Sequence, residues 1–153
     1  GVVDNDVLLP KTWLLGCIQV CSFDHISVCG VLVQDELQSG PIQNFRDIPY
    51  SLPEKLGGAC LVWDRDKLGE RGVFTEQYGV YGHEDGEFVV RMSGEVGRVA
   101  AIVKRGYHFE DPDVEYTNWK HSEVVKTGQQ FETDVNKIRV NFAQQQKMRL
   151  MNS

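Results

Sequence analysis

Thr12–Gln34 reads TWLLGCIQVCSFDHISVCGVLVQ, and this stretch decides the predicted fold. Two apolar runs, Thr12–Val20 and Ile26–Val33, flank a short polar interruption at residues 22–25. Such a pair of runs around a polar turn is typical of a β-hairpin. Apolar residues occupy the odd and the even positions, so both faces of the hairpin would be apolar. The sequence therefore predicts a hairpin at the centre of a sandwich, or one covered by another subunit.

Further strand candidates follow along the chain and are separated by turn signals. They are Ala59–Trp63, Val73–Val80, Glu87–Met92, Val96–Tyr107, Val114–Trp119, Ser122–Val125 and Lys137–Phe142. About eight short strands with little helix predict an all-β fold, an antiparallel sandwich or jelly roll. We expect one domain over residues 1–153, in which residues 1–10 form an extended arm and residues 143–153 a tail with a short helix.

Charge is distributed unevenly along the chain. Residues 137–153 hold Lys137, Arg139, Lys147 and Arg149 and no acid, a net +4. The chain's net charge of −6 less this +4 leaves −10 for the rest. An acidic body is a poor ligand for duplex DNA, because phosphate contacts dominate that affinity. The basic segment could still contact nucleic acid or an acidic partner, although a solvated terminal segment is the simpler interpretation.

The four cysteines carry no secretory leader before them, and we expect free thiols in a reducing, intracellular compartment. Cys17, Cys21, His25 and Cys29 recur every four residues, so on a strand they would share one face. Three thiols and an imidazole form the ligand set of a zinc site. Zinc knuckles, however, place two cysteines on a tight turn, with two to four residues between them, rather than along an extended strand. Buried cysteines usually pack as small hydrophobes. Core packing is the favoured interpretation, and no cofactor is expected.

One order of strands resembles viral single jelly-roll proteins, namely plant-virus coat proteins and 30K-type movement proteins. It runs through GGACLVWDRDKL, GEFVVRM and GRVAAIVKRGYHF, within roughly residues 26–110. In the movement proteins an aspartate closes a comparable strand, so the resemblance assigns that place to Asp64. Coat proteins that package nucleic acid usually carry a basic N-terminal arm, whereas the charged side chains of residues 1–10 are Asp4 and Asp6.

The first functional hypothesis is a non-enzymatic viral structural protein that works by self-association, as a shell-type subunit of a homo-oligomer. Excess apolar strand surface motivates it, and the interface would include Trp13, Leu15, Val31 and Val33. Nucleotide-binding, zinc-protease and hydrolase motifs are absent from the sequence, which lowers the expectation of an enzyme.

Two alternatives remain open. A movement-type protein would bind single-stranded nucleic acid through Lys137, Arg139, Lys147 and Arg149. A thiol- or zinc-dependent enzyme would centre on the Cys17–Cys29 hairpin. No apolar run reaches the roughly 20 residues of a membrane-spanning helix, so no span is expected.

Overall fold

The structure, a computed structural model, describes residues 1–33, 40–53, 56–70, 72–79, 81–95, 98–111 and 113–151. It is 45% helical and 21% strand, so the fold is mixed and the all-β prediction of a sandwich or jelly roll is wrong. Gln34, Val80 of the predicted strand Val73–Val80, Val96 and Gly97 of the predicted strand Val96–Tyr107, and the last two residues of the predicted tail lie outside the described residues.

The described residues form eight strands and four helices. In chain order they are β1 (Val2–Val3), β2 (Val7–Leu8), α1 (Trp13–Cys21), β3 (Ile26–Val31), β4 (Gln43–Phe45), β5 (Ile48–Ser51), β6 (Cys60–Trp63), α2 (Arg65–Leu68), α3 (Glu84–Glu95), β7 (Arg98–Ile102), β8 (Tyr107–His108) and α4 (Val114–Met151).

Six strands form a mixed sheet in the order β1-β6-β3-β7-β5-β4. β3 and β7 run parallel, and the other neighbours in this sheet are antiparallel. β2 and β8 form a separate antiparallel pair. Residues 1–10, predicted as an arm, therefore supply two strands that pair with the body.

A helix covers each face of the central strands. On one face α1 packs over a cluster that includes Cys17, Val20, Cys29 and Ile102. On the other face α3 packs over a cluster that includes Phe88 and Met92 with residues of β3, β6 and β7. Every residue of β3 is buried, because helices cover both of its faces. The prediction that this region is buried on both sides was thus right for β3, but helices supply the cover.

The first half of the predicted hairpin is α1, so the prediction of a strand over Thr12–Val20 was wrong. Its buried residues are Gly16, Cys17, Val20 and Cys21, which lie three and four residues apart as on one side of a helix. Leu14, Leu15 and Ile18 are 46%, 56% and 50% exposed. These exposed leucine and isoleucine side chains hid the helical period in the sequence.

The strand predicted over Glu87–Met92 was also wrong, since α3 runs through these residues. Residues 73–79 of the strand predicted over Val73–Val80 form no strand either. The three predicted strands between residues 114 and 142 are parts of α4, a helix of 38 residues. Asp113 begins this helix, because its Oδ1 accepts hydrogen bonds from the backbone N–H groups of Glu115 at 2.8 Å and Tyr116 at 3.4 Å. The predicted short C-terminal helix is the end of this long one.

Candidate functional site

The C-terminal part of α4 is mostly exposed, and Ile138 and Phe142 are the half-buried residues after Val135. Val135 is the one buried residue of α4, all of which lies in the described part of the chain. The sixteen residues after it, 136–151, are called the projecting half here. At 1.5 Å per residue this segment is roughly 24 Å long. Isolated helices of this length are marginal in water, so such a segment is best stabilised by packing against something.

Upstream of Val135, α4 is fixed to the loop before α3. The His83 ring stacks on Phe131 with centroids 4.4 Å apart, and its Nε2 lies 3.0 Å from the Val124 carbonyl oxygen. The Tyr78 hydroxyl donates to Asp134 Oδ2 at 3.2 Å. These contacts fix the direction in which the projecting half leaves the body.

A second set of contacts holds the first turns of α4. Lys120 Nζ lies 3.0 Å from both Asp111 carboxylate oxygens, and it sits over the Tyr116 ring at 4.7 Å. Trp119 packs on Tyr81 with centroids 5.8 Å apart. The N-terminal half of α4 is therefore anchored at both of its ends.

One line of apolar side chains continues from the anchored half into the projecting half. Phe131, Val135, Ile138 and Phe142 follow one another at intervals of four, three and four residues. That spacing places the four side chains along one side of the helix. Phe131 and Val135 pack against the body, whereas Ile138 and Phe142 are half-buried. We call these four residues the apolar seam.

The projecting half also carries exposed apolar side chains outside the seam. Val140 is 54% exposed and Met148 is 56% exposed, and Leu150 and Met151 are more exposed still. The cations of this segment were predicted from the sequence, but the seam was not. The four-three-four spacing was the signal that could have revealed it.

Charge separates the two halves of α4. The anchored half, 114–135, holds Glu115, Glu123, Glu132 and Asp134 against Lys120 and Lys126. The projecting half holds four cations, Lys137, Arg139, Lys147 and Arg149, and no carboxylate.

The pKa of Asp134 is lowered because Gln130 Nε2 donates to its carboxylate at 2.7 Å, with smaller effects from Lys137 and Tyr78. The junction between the halves therefore keeps its negative charge at neutral pH. Lys137, at 3.3 Å from Asp134 Oδ1, is the projecting half's first cation and lies beside that charge.

The predicted zinc ligands do not assemble into one group. Cys17, Cys21 and Cys29 are buried, whereas His25 is exposed at the end of the turn after α1. Among the described residues, the one group whose possible ligand atoms lie within 4.8 Å of one another is Asp4, Asp6 and His108. The zinc site stays a prediction without geometric support.

Three of the buried thiols have a raised pKa. It raises the pKa of Cys21 to about 12 and that of Cys60 to about 12, with the nearby Cys17 adding to both shifts. The pKa of Cys29 is also raised, by its hydrogen bond with Cys17 and by burial. A nucleophilic cysteine needs a thiolate in an accessible, electropositive setting, which these positions do not provide.

Asp4, Asp6 and His108 could hold a divalent cation through two carboxylates and an imidazole. His108 Nε2 lies 3.5 Å from Asp6 Oδ1, so an ion pair between those two side chains accounts for part of the arrangement. The pKa of Asp4 is raised by partial burial and by the neighbouring Asp6. All three residues sit near the β2–β8 pair at the surface.

The other predicted site residues are dispersed. Val31 is fully buried, Val33 is half-buried, Trp13 at the start of α1 is partly buried against the core, and Leu15 is 56% exposed. Asp64 follows β6 as expected for a strand end. Its Oδ1 caps α2 by accepting from the N–H groups of Asp66 at 3.0 Å and Lys67 at 3.4 Å. That structural role accounts for its position.

Comparison of the chain with known protein families, with characterised proteins and with solved structures finds no match. Within the described residues, no helix combines the length and the apolar character needed to cross a membrane.

Proposed function

We propose that the protein acts by self-association, through antiparallel pairing of α4 helices from two copies. The single observation that carries this proposal is the projecting half, a helical segment in which every residue except Ile138 and Phe142 is exposed. Phe131 and Val135 of the seam pack within their own copy, so Ile138 and Phe142 would be the seam residues that contact the partner helix.

The charge pattern of α4 favours the antiparallel arrangement. A parallel pair would place two cationic halves side by side, and like charges at that distance repel. An antiparallel pair places each cationic half beside the acidic half of the other copy. Such a pair has two-fold symmetry and buries the same surface on both chains, which is the commonest form of homodimer.

The hypothesis of a viral shell protein depended on a jelly-roll fold, whereas the fold is a mixed sheet between helices. Of that hypothesis, this proposal keeps only the self-association. Support for a binding rather than an enzymatic role comes from the raised pKa values of the buried thiols, which would otherwise be the nearest candidates for a nucleophile.

Sedimentation velocity over a range of concentrations tests the proposal. The full chain should sediment above its monomer mass of 17.4 kDa, with a mass that rises with concentration. Phe142→Ala removes a seam residue of the projecting half and should weaken association at least about tenfold, since a buried aromatic contributes more than 1.4 kcal/mol.

Phe131→Ala is the matched control on the same helix. Because Phe131 packs on His83 and Tyr78, its loss should lower the free energy of unfolding by about 2–3 kcal/mol. Phe142→Ala should lower that free energy less than Phe131→Ala does when it is measured at concentrations below the association range, because Phe131 is the one with ring contacts to Tyr78 and His83. A monomer at every concentration, or undiminished association of Phe142→Ala, would exclude this interface.

Leu15→Ala distinguishes α4 from the other exposed apolar helix face, on α1. The proposal expects this variant to associate like the wild type. If Leu15→Ala loses association while Phe142→Ala keeps it, the interface lies on α1, which contains Trp13 and Leu15 of the interface predicted from the sequence.

Binding of single-stranded nucleic acid is the alternative outcome for the same segment. The four cations are distributed around the helix at 100° per residue rather than along one side, which gives a phosphate chain no continuous track. A labelled single-stranded oligonucleotide at low salt should therefore bind weakly. Tight, steeply salt-dependent binding that Lys147→Glu with Arg149→Glu abolishes would favour this alternative.

A further inference from the structure

A cavity of about 250 Å³ lies on the α1 side of the sheet, beside the first residues of β3 and β7. Its lining includes the side chains of Phe23, His25, Gln43, Tyr50, Leu52 and Arg98. Ligand cavities usually begin at roughly 300 Å³, so this one would suit a ligand about the size of a single ring with one substituent.

Backbone hydrogen bonds fix the two basic residues at the cavity. Ile26 pairs with Arg98 in the parallel ladder, and the Arg98 N–H donates to the His25 carbonyl oxygen at 2.9 Å. The turn before β3 is closed by the Ile26 N–H, which donates to the Phe23 carbonyl oxygen at 2.9 Å. His25 and Arg98 are thus adjacent because β3 and β7 begin side by side.

The polar side chains of Gln43, Tyr50 and Arg98 are part of the cavity lining. The Tyr50 hydroxyl, almost fully buried, donates to Gln43 Oε1 at 2.9 Å. This bond orients the Gln43 amide and leaves its NH₂ group available as a donor. In the described part of the chain, no carboxylate lines the cavity and none forms an ion pair with the Arg98 guanidinium.

Aromatic rings form one wall. Phe23 stacks on Phe45 with centroids 4.7 Å apart, and it meets the His25 ring edge-to-face at 5.3 Å. A planar apolar group beside Phe23 and Leu52 would add a further ring contact of the same kind.

We propose that this cavity binds a small aromatic anion. The ligand's carboxylate or phosphate would accept hydrogen bonds from the Arg98 guanidinium and the Gln43 amide, and its ring would lie against Phe23. Arginine suits this role because its planar group of five donors matches both kinds of anion. This inference is independent of the self-association of α4.

Nuclear magnetic resonance titration of the ¹⁵N-labelled full chain tests the cavity with three probes. Benzoate and phenyl phosphate carry the two kinds of anionic group, and benzamide is a neutral analogue of benzoate. We expect saturable amide shifts at residues 23–26, 43, 50–52 and 98 with at least one anion. Benzamide should bind roughly tenfold more weakly, because it cannot form a charge-assisted pair with Arg98.

Arg98→Gln and Lys104→Gln form a matched pair of variants. Both positions are surface-accessible cations of the β7 region, and Lys104 donates to Thr12 Oγ1 away from the cavity lining. Arg98→Gln should weaken anion binding about tenfold, whereas Lys104→Gln should not change it. No saturable shift with either anion, equal binding of benzamide, or equal loss in the two variants would overturn the proposal.

Discussion

At the scale of single residues, Lys67 joins segments that are distant in the sequence. Its Nζ donates to the backbone carbonyl oxygens of Cys21 at 2.5 Å, Phe23 at 2.8 Å and Ile26 at 2.9 Å. The first of these belongs to the last turn of α1, where carbonyl groups have no partner within the helix. A cation there also interacts favourably with the negative end of the helix dipole. One lysine therefore fixes the end of α1 against the start of β3.

Lys67→Met should lower the free energy of unfolding by about 2 kcal/mol, since it leaves three partly buried carbonyl groups without their charged donor. Urea unfolding followed by circular dichroism would measure the change. Lys126→Met is the control, because Lys126 is 65% exposed and pairs with Glu123 only at the surface. The control should change stability by no more than about 0.5 kcal/mol. Equal effects of the two substitutions would contradict the role given to Lys67.

The buried thiols predict how stability depends on pH. Burial raises the pKa of Cys21 from 9.0 to about 12, so the unfolded chain loses this proton at lower pH than the folded chain does. Stability from this group is complete below pH 9 and falls as pH rises towards 12. Between about pH 8 and about pH 10 the loss attributable to Cys21 should be on the order of 1 kcal/mol.

Urea unfolding in a reducing buffer at both pH values would show that loss. Cys21→Ala should be less stable than the wild type at the lower pH but should lose less stability at the higher one. An equally steep loss in this variant would mean that the Cys21 thiol ionises freely in the folded protein.

At the scale of elements, strands buried on both faces were recognisable in the sequence and helices with mixed faces were not. The continuous apolar runs of β3 and β6 mark strands because few polar residues interrupt them. In α1 the buried side chains alternate with exposed Leu14, Leu15 and Ile18, so composition alone could not separate helix from strand. Whether such a segment forms a helix or a strand depends on the distant elements that it packs against, and a short window of sequence does not contain that information.

α4 shows the same ambiguity in its projecting half. Ile138, Val140 and Phe142 alternate as in a strand, and a strand was therefore predicted over Lys137–Phe142. The longer interval from Phe131 through Val135 to Phe142 fits a helix, and only a window wider than one strand reveals it. The cations of this segment were found from composition, whereas their position beyond the body required the structure.

At the scale of the whole molecule, the fold separates charge. Residues 1–136 carry a net −10, whereas the exposed C-terminal segment of α4 carries +4. Charges arranged in this way attract a second copy and would be screened by salt. The proposed pairing of α4 helices joins this attraction to the apolar seam, so its strength should depend on both.

The most direct test of self-association through antiparallel α4 helices is a charge-exchange series measured by sedimentation equilibrium. Charge reversal in the projecting half (Lys147→Glu with Arg149→Glu) and charge reversal in the anchored half (Glu115→Lys with Glu123→Lys) should each weaken association about fivefold, because each places like charges beside the other copy. The double variant, which carries both reversals, should recover most of the wild-type affinity, since an antiparallel pair places the projecting half of one copy along the anchored half of the other. Additive weakening in the double variant, or a wild-type chain that is monomeric throughout, would contradict the account.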